Sequence, residues 1–201
     1  TRSWAALLAY RAYVSWVTKQ TKQSEGLPYH PVLALEEPES HLHPNAQRQL
    51  CAQMAEMPGQ LIVSTHSPYI AALAGLECIR HFTKAKSETS VRQVDISGLE
   101  KEDIRRIRRD VLNTRGELMF ARAVVLFEGE TEEQALPIFA KQYFGQEPFA
   151  LGVAMVNVGG YGNYKAFLRL VTGMGIPWLI FSDAETAVKP KVERQVEGLT
   201  G

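Results

Sequence analysis

The chain has 201 residues, 45% of them apolar and 22% charged, with a formal net charge of zero. That length holds one large or two small domains of an ordinary soluble globular protein. No global basic field draws in nucleic acid, so any DNA contact needs a local patch. No apolar run approaches the ~20 residues of a membrane span, and no signal peptide opens the chain. Cys51 and Cys78 do not form a metal-type pair by spacing, and a reducing, cytoplasmic compartment is expected.

Residues Trp4 to Val17 predict a helix, apolar around much of its circumference and therefore buried. A polar loop from Lys19 to Pro28 follows. Pro31 to Leu35 predicts a buried strand that ends in Glu36-Glu37-Pro38-Glu39. His41 and His43 are two apart, but no Cys or third His lies at zinc-ligand spacing. Pro44 is a good first helical residue, and the helix to Met57 carries Leu50, Met54 and Met57 as core side chains. Gly59 ends it. Gln60 to His66 predicts a strand ending in a histidine, and Ser67-Pro68 caps and opens a short helix to about Leu73.

An apolar strand ending in two acids resembles the Walker B pattern of P-loop ATPases. Glu36 to Pro44, with Ile62-Val-Ser-Thr-His-Ser-Pro68 about 30 residues later, is similar to the SMC and OLD branch of ABC ATPases. The resemblance implies that Glu36 holds the Mg²⁺ of bound ATP and Glu37 polarises the attacking water. It makes His66 the switch histidine that senses the γ-phosphate, and His41 and His43 D-loop residues at a subunit interface. Glu36 stands where many ABC proteins have Asp.

Glu77 to Phe82 and Thr89 to Ile96 alternate as strands of a hairpin that would close this lobe. Ser97-Gly-Leu-Glu100 reads as a capping box. Ile104, Ile107, Val111 and Leu112 then share one helical face. Arg105, Arg106, Arg108 and Arg109 occupy the others, either as a phosphate-contacting patch or as a solvated face paired with Glu100, Glu102 and Asp103.

Val124 to Phe127 predicts a strand buried on both faces, as in a parallel sheet. Glu128 ends it, Gly129 turns the chain, and Thr131 with Gln134 reads as a capping box that places Glu132 in the first helical turn. The helix runs to about Tyr143 with Ala135, Ile138 and Phe139 as its apolar stripe. Leu151 to Val158 is the next strand. Gly159-Gly160-Tyr-Gly162 after it is either a plain tight turn or a place where backbone N–H groups approach a phosphate; it is no Walker A motif. A helix with Phe167, Leu168 and Val171 follows, carrying Lys165 and Arg169. Pro177 to Phe181 is a further strand, with Asp183 and Glu185 behind it. Lys189 to Gly201 is charged and carries no assigned chemistry.

Glu128, Glu132, Asp183 and Glu185 thus converge at one carboxyl edge, where open α/β sheets bind ligands. Four carboxylates there repel one another and need a compensating charge. A hard divalent cation, taking oxygen ligands, supplies it, and four acids suit two ions of the kind used for displacement at phosphorus.

Strand, Glu-Gly, helix, glycine-rich turn, strand and Asp-x-acid together resemble a Toprim domain, and Gly116 to Glu132 is similar to the OLD family of ATP-dependent nucleases. The implied fold is α/β: part of an ABC-type ATPase sheet over residues 1–96, a helical connector over 97–120, then a Rossmann-like parallel Toprim module over 121–201. The implied function is an ATP-dependent DNA endonuclease with Mg²⁺ or Mn²⁺ at the four acids and ATP with Mg²⁺ at Glu36, Glu37 and His66. It is expected to work as a homodimer, in phage defence, with a possible defence partner protein and no membrane. Glu185 departs from the common Asp-x-Asp. A Walker A lysine, an ABC signature, a later Toprim acid and a catalytic lysine are missing, which implies an internal segment of a longer polypeptide. The alternative is a non-catalytic DNA-clamping ATPase of the SMC or recombination type with a degenerate Toprim module.

Overall fold

The computed structural model describes residues 2–23, 31–97, 99–182 and 189–197. The chain divides into two compact units, Thr1–Leu73 and Ala74–Gly201.

In the first unit, α1 (Arg2–Gln23) precedes a strand–helix–strand crossover of β1 (Val32–Glu36), α2 (Pro44–Ala55) and β2 (Gln60–Ser64), closed by α3 (Pro68–Leu73). The strands pair in parallel, Val32 opposite Gln60 through Glu36 opposite Ser64. Side chains alternate across a strand. Leu33, Leu35, Leu61 and Val63 therefore share the face that packs on Leu7, Leu50, Cys51, Met54 and Ile70. Val32 and Ile62 lie on the opposite, exposed face. The expectation of fully buried strands is thus met on one side only. Helix α1 departs likewise: Leu7 and Val14, two turns apart, are buried, whereas Leu8 is 64% exposed and Tyr13 and Trp16 also face outward.

Helix α2 starts as expected. His43 sits at its N-cap and its Nδ1 accepts the Asn45 N–H (3.3 Å), while Pro44 at the first position has no N–H to satisfy. Gly59 turns the chain into β2 with φ +90°, and the Gln60 N–H donates to the Pro31 carbonyl (2.8 Å).

The second unit opens with a 3₁₀ turn, Leu76–Cys78, where the sequence pattern predicts a strand. The hairpin of β3 (His81–Ala85) and β4 (Glu88–Arg92) follows. His81 Nδ1 donates to the Met174 carbonyl (3.0 Å), and Gly173 and Gly175 lie close against Val94 and Arg92. The hairpin is therefore built into this second unit.

Helix α4 (Lys101–Arg106) continues through a π-helical stretch, Ile107–Leu112, into α5 (Asn113–Arg115) and a 3₁₀ turn, Gly116–Phe120. Its N-cap is Glu100, without a side-chain cap bond, so the capping box expected at Ser97 does not form; the Ser97 N–H is spent on Asp95 Oδ1 (2.8 Å). Ile107, Val111 and Leu112, all within the π stretch, are buried.

The remaining elements are β5 (Ala123–Phe127), α6 (Glu130–Phe144), a 3₁₀ turn at Pro148–Leu151, β6 (Val153–Asn157), α7 (Tyr164–Gly173), β7 (Trp178–Ile180) and α8 (Lys189–Glu197). The strands form a parallel sheet in the order β6-β5-β7. This α/β architecture is the expected Rossmann-like one. Helix α7 buries Phe167, Leu168, Leu170 and Val171, and Thr172 Oγ1 accepts from Trp178 Nε1 (2.9 Å). Helix α6 buries no side chain fully; Ile138 and Phe139 of its expected stripe are exposed.

Substituting Gly59→Ala forces a Cβ into the Pro31 carbonyl oxygen at a left-handed φ. The expected loss is about 1–3 kcal/mol from backbone strain, before the clash is counted, read as a lower melting temperature of the purified protein.

Candidate active site

Strand β5 lies between two parallel neighbours, and both are held to its last residues. The Phe181 N–H donates to the Leu126 carbonyl and the Val158 N–H to the Phe127 carbonyl, each at 2.8 Å. The next residue, Glu128, emerges half-buried at the carboxyl edge. There the strand order reverses, the place where open α/β sheets form a ligand crevice. Glu128 Oε1 accepts a hydrogen bond from Ser182 Oγ, which comes from the segment after β7.

Gly129 is the N-cap of α6. The helix therefore begins one residue ahead of Thr131, which lies exposed inside the first turn and is not the cap; no capping box forms. Glu132 takes the third helical position and its carboxylate folds back against Gly129, so closely that a Cβ there would overlap Glu132 Oε2. Glu130, Glu132 and Glu133 share this turn, where the helix dipole favours negative charge.

Glu128 and Glu132 thus flank one glycine as expected. Asp183 and Glu185 lie outside the described residues, although Ser182, bonded to Glu128, is the residue before Asp183. Among the described residues no three His, Cys, Asp or Glu side chains converge to hold a metal ion. The two carboxylates present are oxygen donors of the kind a hard cation takes.

Asn157 and Arg115 at this edge stand outside the motifs that mark the acids. Asn157, the last residue of β6, donates from Nδ2 to Glu133 Oε2 (2.9 Å) and the Gly129 carbonyl (3.4 Å). Its Oδ1 accepts the Gly159 N–H (2.8 Å). Arg115 Nη2 lies 3.9 Å from Glu133 Oε1. Glu133 is thereby tied sideways to α5 and to β6. The Gly159 N–H is committed to Asn157, and Asn163 Nδ2 donates to the Val158 carbonyl (2.9 Å), so this stretch is the tight turn. A strand-end Asn followed by glycines is the one signal the sequence offers.

A second set of acids follows β1. Glu37 has φ +39°, its N–H donates to the Ser64 carbonyl (2.9 Å), and its Oε1 lies 3.5 Å from His66 Nε2. Glu36 ends β1 opposite Ser64, exposed. Glu37 and His66, paired by the sequence resemblance, do meet. Glu39, only 8% exposed, is the residue that sequence reasoning missed. Its Oε1 accepts from Thr65 Oγ1 and from the His66 N–H (3.2 Å), which fixes the loop that carries His66. Its Oε2 is buried with no hydrogen-bond partner among the described residues. Burial pushes the Cys51 thiol above its ordinary pKa, and the Glu39 carboxylate pushes it further. His43 Nδ1 is taken up by the cap of α2.

Residues 119–184 match the family described as overcoming lysogenization defect protein-like, TOPRIM domain, and residues 7–117 match a family of proteins of unknown function, DUF2813. The chain is 31% identical over 163 residues to the OLD nuclease of Thermus scotoductus, covering 75% of this chain and 30% of that protein. It is 30% identical over 159 residues to the Escherichia coli protein YbjD, described as uncharacterized, covering 79% and 28%. It is 26% identical over 187 residues to the Old nuclease of Escherichia phage P2, covering 90% and 31%. The chain thus spans less than a third of the length of each of these relatives.

Replacing Glu39 by Ala removes the carboxylate that accepts from the Thr65 hydroxyl and the His66 N–H at a half-buried place. The expected cost is about 1–3 kcal/mol. Glu39→Gln, which keeps a carbonyl oxygen, should recover most of it in a denaturant titration.

Proposed function

Because the chain belongs to the DUF2813 family and carries an OLD-like Toprim domain, we propose that it is the part of a metal-dependent DNA nuclease that holds the cleaving site. The observation that carries this reading is the meeting of two parallel strand ends at the point of order reversal: Glu128 bonded to Ser182, with Glu132 folded over Gly129 beside it. The two relatives named as nucleases support it.

In this reading Glu128, Glu132, Asp183 and Glu185 hold Mg²⁺ or Mn²⁺. When bound, such ions supply an activated water and neutralise charge developing at phosphorus. The chain's own groups set the geometry. The Ser182 hydroxyl fixes one oxygen of Glu128 and leaves the other to face a ligand. The missing Cβ at Gly129 gives the Glu132 carboxylate its room. Asn157 and Arg115 hold Glu133 aside, so that it does not compete for the same edge.

The ATP-dependent half of the proposal rests on Glu36, Glu37 and His66. The Glu37 carboxylate would orient the attacking water, with His66 beside it to contact the terminal phosphate of ATP-Mg²⁺. Residues 1–96 would be the ABC-type part, 97–120 the connector and 121–201 the Toprim part of a cytoplasmic homodimer acting in phage defence.

A second reading is a DNA-clamping ATPase with a degenerate Toprim module. The contact between Glu37 and His66 is compatible with it, because nucleotide turnover at that pair would need no cleaving site.

Supercoiled plasmid and Mg²⁺ or Mn²⁺ with the full-length protein separate the two. Glu128→Ala is expected to lower nicking at least about 100-fold, and Ser182→Ala, which only orients Glu128, about 10- to 100-fold. Undiminished nicking by Glu128→Ala removes this site from the chemistry. ATP turnover with no scission by the wild type selects the clamp.

A further inference from the structure

Beside the carboxylate edge, the second unit holds a cleft between the connector and α7. Arg106, from the end of α4, faces Lys165 and Arg169 of α7 across it, and Asn163 and Gln195 lie at its margin. Lys165 and Arg169 are four apart and share one helical face. Asp103 is the one carboxylate in the lining and sits 3.6 Å from the Lys165 ammonium. Arg106 Nε reaches Glu102 at 3.7 Å. The Arg106–Glu102 pair is exposed, the Lys165–Asp103 pair is half-exposed, and both are stretched, which makes them weak and replaceable. Arg169 Nε is different: it is buried and has no hydrogen-bond partner among the described residues. The residue as a whole is only half-buried and lines the cleft, so an anion would meet its guanidinium in a partly desolvated place, where a charge contact counts for more than on the open surface.

The cleft does not stand alone. Asn163 also lines a second, open cleft, with Arg115, Asn157 and Gly159. Asn157 in turn contacts Gly129, between Glu128 and Glu132. A path of polar and basic groups therefore runs from the carboxylates, past Arg115, to Arg106, Lys165 and Arg169. The π-helical stretch starts directly after Arg106, and such irregular turns are common where a helix serves a site. The far end is braced by α8: Gln195 Oε1 accepts the Lys165 N–H (2.9 Å), and Gln195 Nε2 donates to the Tyr161 carbonyl (2.8 Å).

We propose that Arg106, Lys165 and Arg169 form a phosphate-binding subsite that holds the nucleic-acid backbone a few nucleotides away from the bond at the carboxylates. The subsite rests on the nuclease reading for its direction, but not for its chemistry. Three cations against Asp103 in the lining and Glu102 beside it leave a net positive charge that favours an anion. The guanidinium fork fits phosphate oxygens in pairs, and backbone contacts of this sort position a strand without reading its sequence.

The test uses the full-length protein and a fluorescein-labelled duplex in metal-free buffer, with anisotropy measured over a series of salt concentrations. Arg169→Gln and Arg106→Gln are each expected to weaken binding several-fold. Each should also flatten the slope of log affinity against log salt by about 0.9 for every phosphate the variant no longer neutralises. Arg169→Lys should restore part of both. Arg106 is exposed, so its variant decides the matter if Arg169→Gln does not fold. Wild-type affinity and slope in Arg106→Gln, or in a folded Arg169→Gln, overturn the subsite. Inorganic phosphate that binds the wild type in calorimetry, with DNA affinity untouched by either variant, makes it a free-anion site and overturns the proposal equally. Plasmid nicking keeps the two readings apart. A flattened slope with full nicking by Glu128→Ala leaves the subsite standing and removes the nuclease assignment; an unchanged slope with lost nicking does the reverse.

Discussion

The site depends on β5 being hydrogen-bonded on both sides to its very end. Once the Leu126 and Phe127 carbonyls are taken by Phe181 and Val158, backbone pairing stops on both flanks at nearly the same level. The next side chain must then leave the sheet at its edge, and the two neighbouring segments arrive beside it. Glu128 is the side chain placed there by that constraint, and Ser182 is what the β7 side brings to meet it. A carboxylate one residue earlier would be inside the sheet and desolvated, at a cost its single hydroxyl partner would not repay.

The same device occurs in both units. After β1, the buried carboxylate of Glu39 is gripped by the hydroxyl of Thr65, one residue past the parallel neighbour β2. After β5, Glu128 is gripped by the hydroxyl of Ser182, just past β7. In each case an acid beyond one parallel strand is oriented by a hydroxyl beyond the next, so a loop that would otherwise sample many conformations is fixed by the sheet register. The consequences differ with burial. Glu128 is half-buried and keeps access to solvent and ligand. Glu39 is nearly closed off and serves to hold the His66 backbone.

Strand identity and order along the chain are legible in the sequence because β5, β6 and β7 are apolar runs bounded by glycine, proline or acids. Glu128 and Glu132 are legible for the same reason: their place follows from where a strand ends and a helix begins. The cap is not, because Thr131 is the better capping side chain, yet the chain must turn sooner, and Gly129 alone admits the Glu132 carboxylate alongside. The exposed face of α1 is hidden because apolar content counts side chains without saying which face a neighbour covers; Leu7 is buried and Leu8 is not. The contacts of Glu39, Asn157 and Ser182 are invisible for a different reason. Their partners are 24 or more residues away in sequence, so only the sheet register, which no local pattern encodes, brings them together.

Charge distribution follows the same logic of local over global. With a formal net charge of zero, the chain has no long-range pull on a polyanion, and attraction has to be built at short range. The second unit does this by setting Arg105, Arg106 and Lys165 beside Glu102 and Asp103 in pairs of 3.4 to 3.7 Å. Exposed pairs of this kind are each worth about 0.2–1 kcal/mol. They hold the cations in place and mute them at a distance, yet they yield to an anion that offers several oxygens at once and releases its own counterions on binding. Arg169, with its Nε buried and unpaired among the described residues, has no such weak partner to give up at that atom. In the proposed subsite Arg106 and Lys165 would exchange one carboxylate partner for another acceptor.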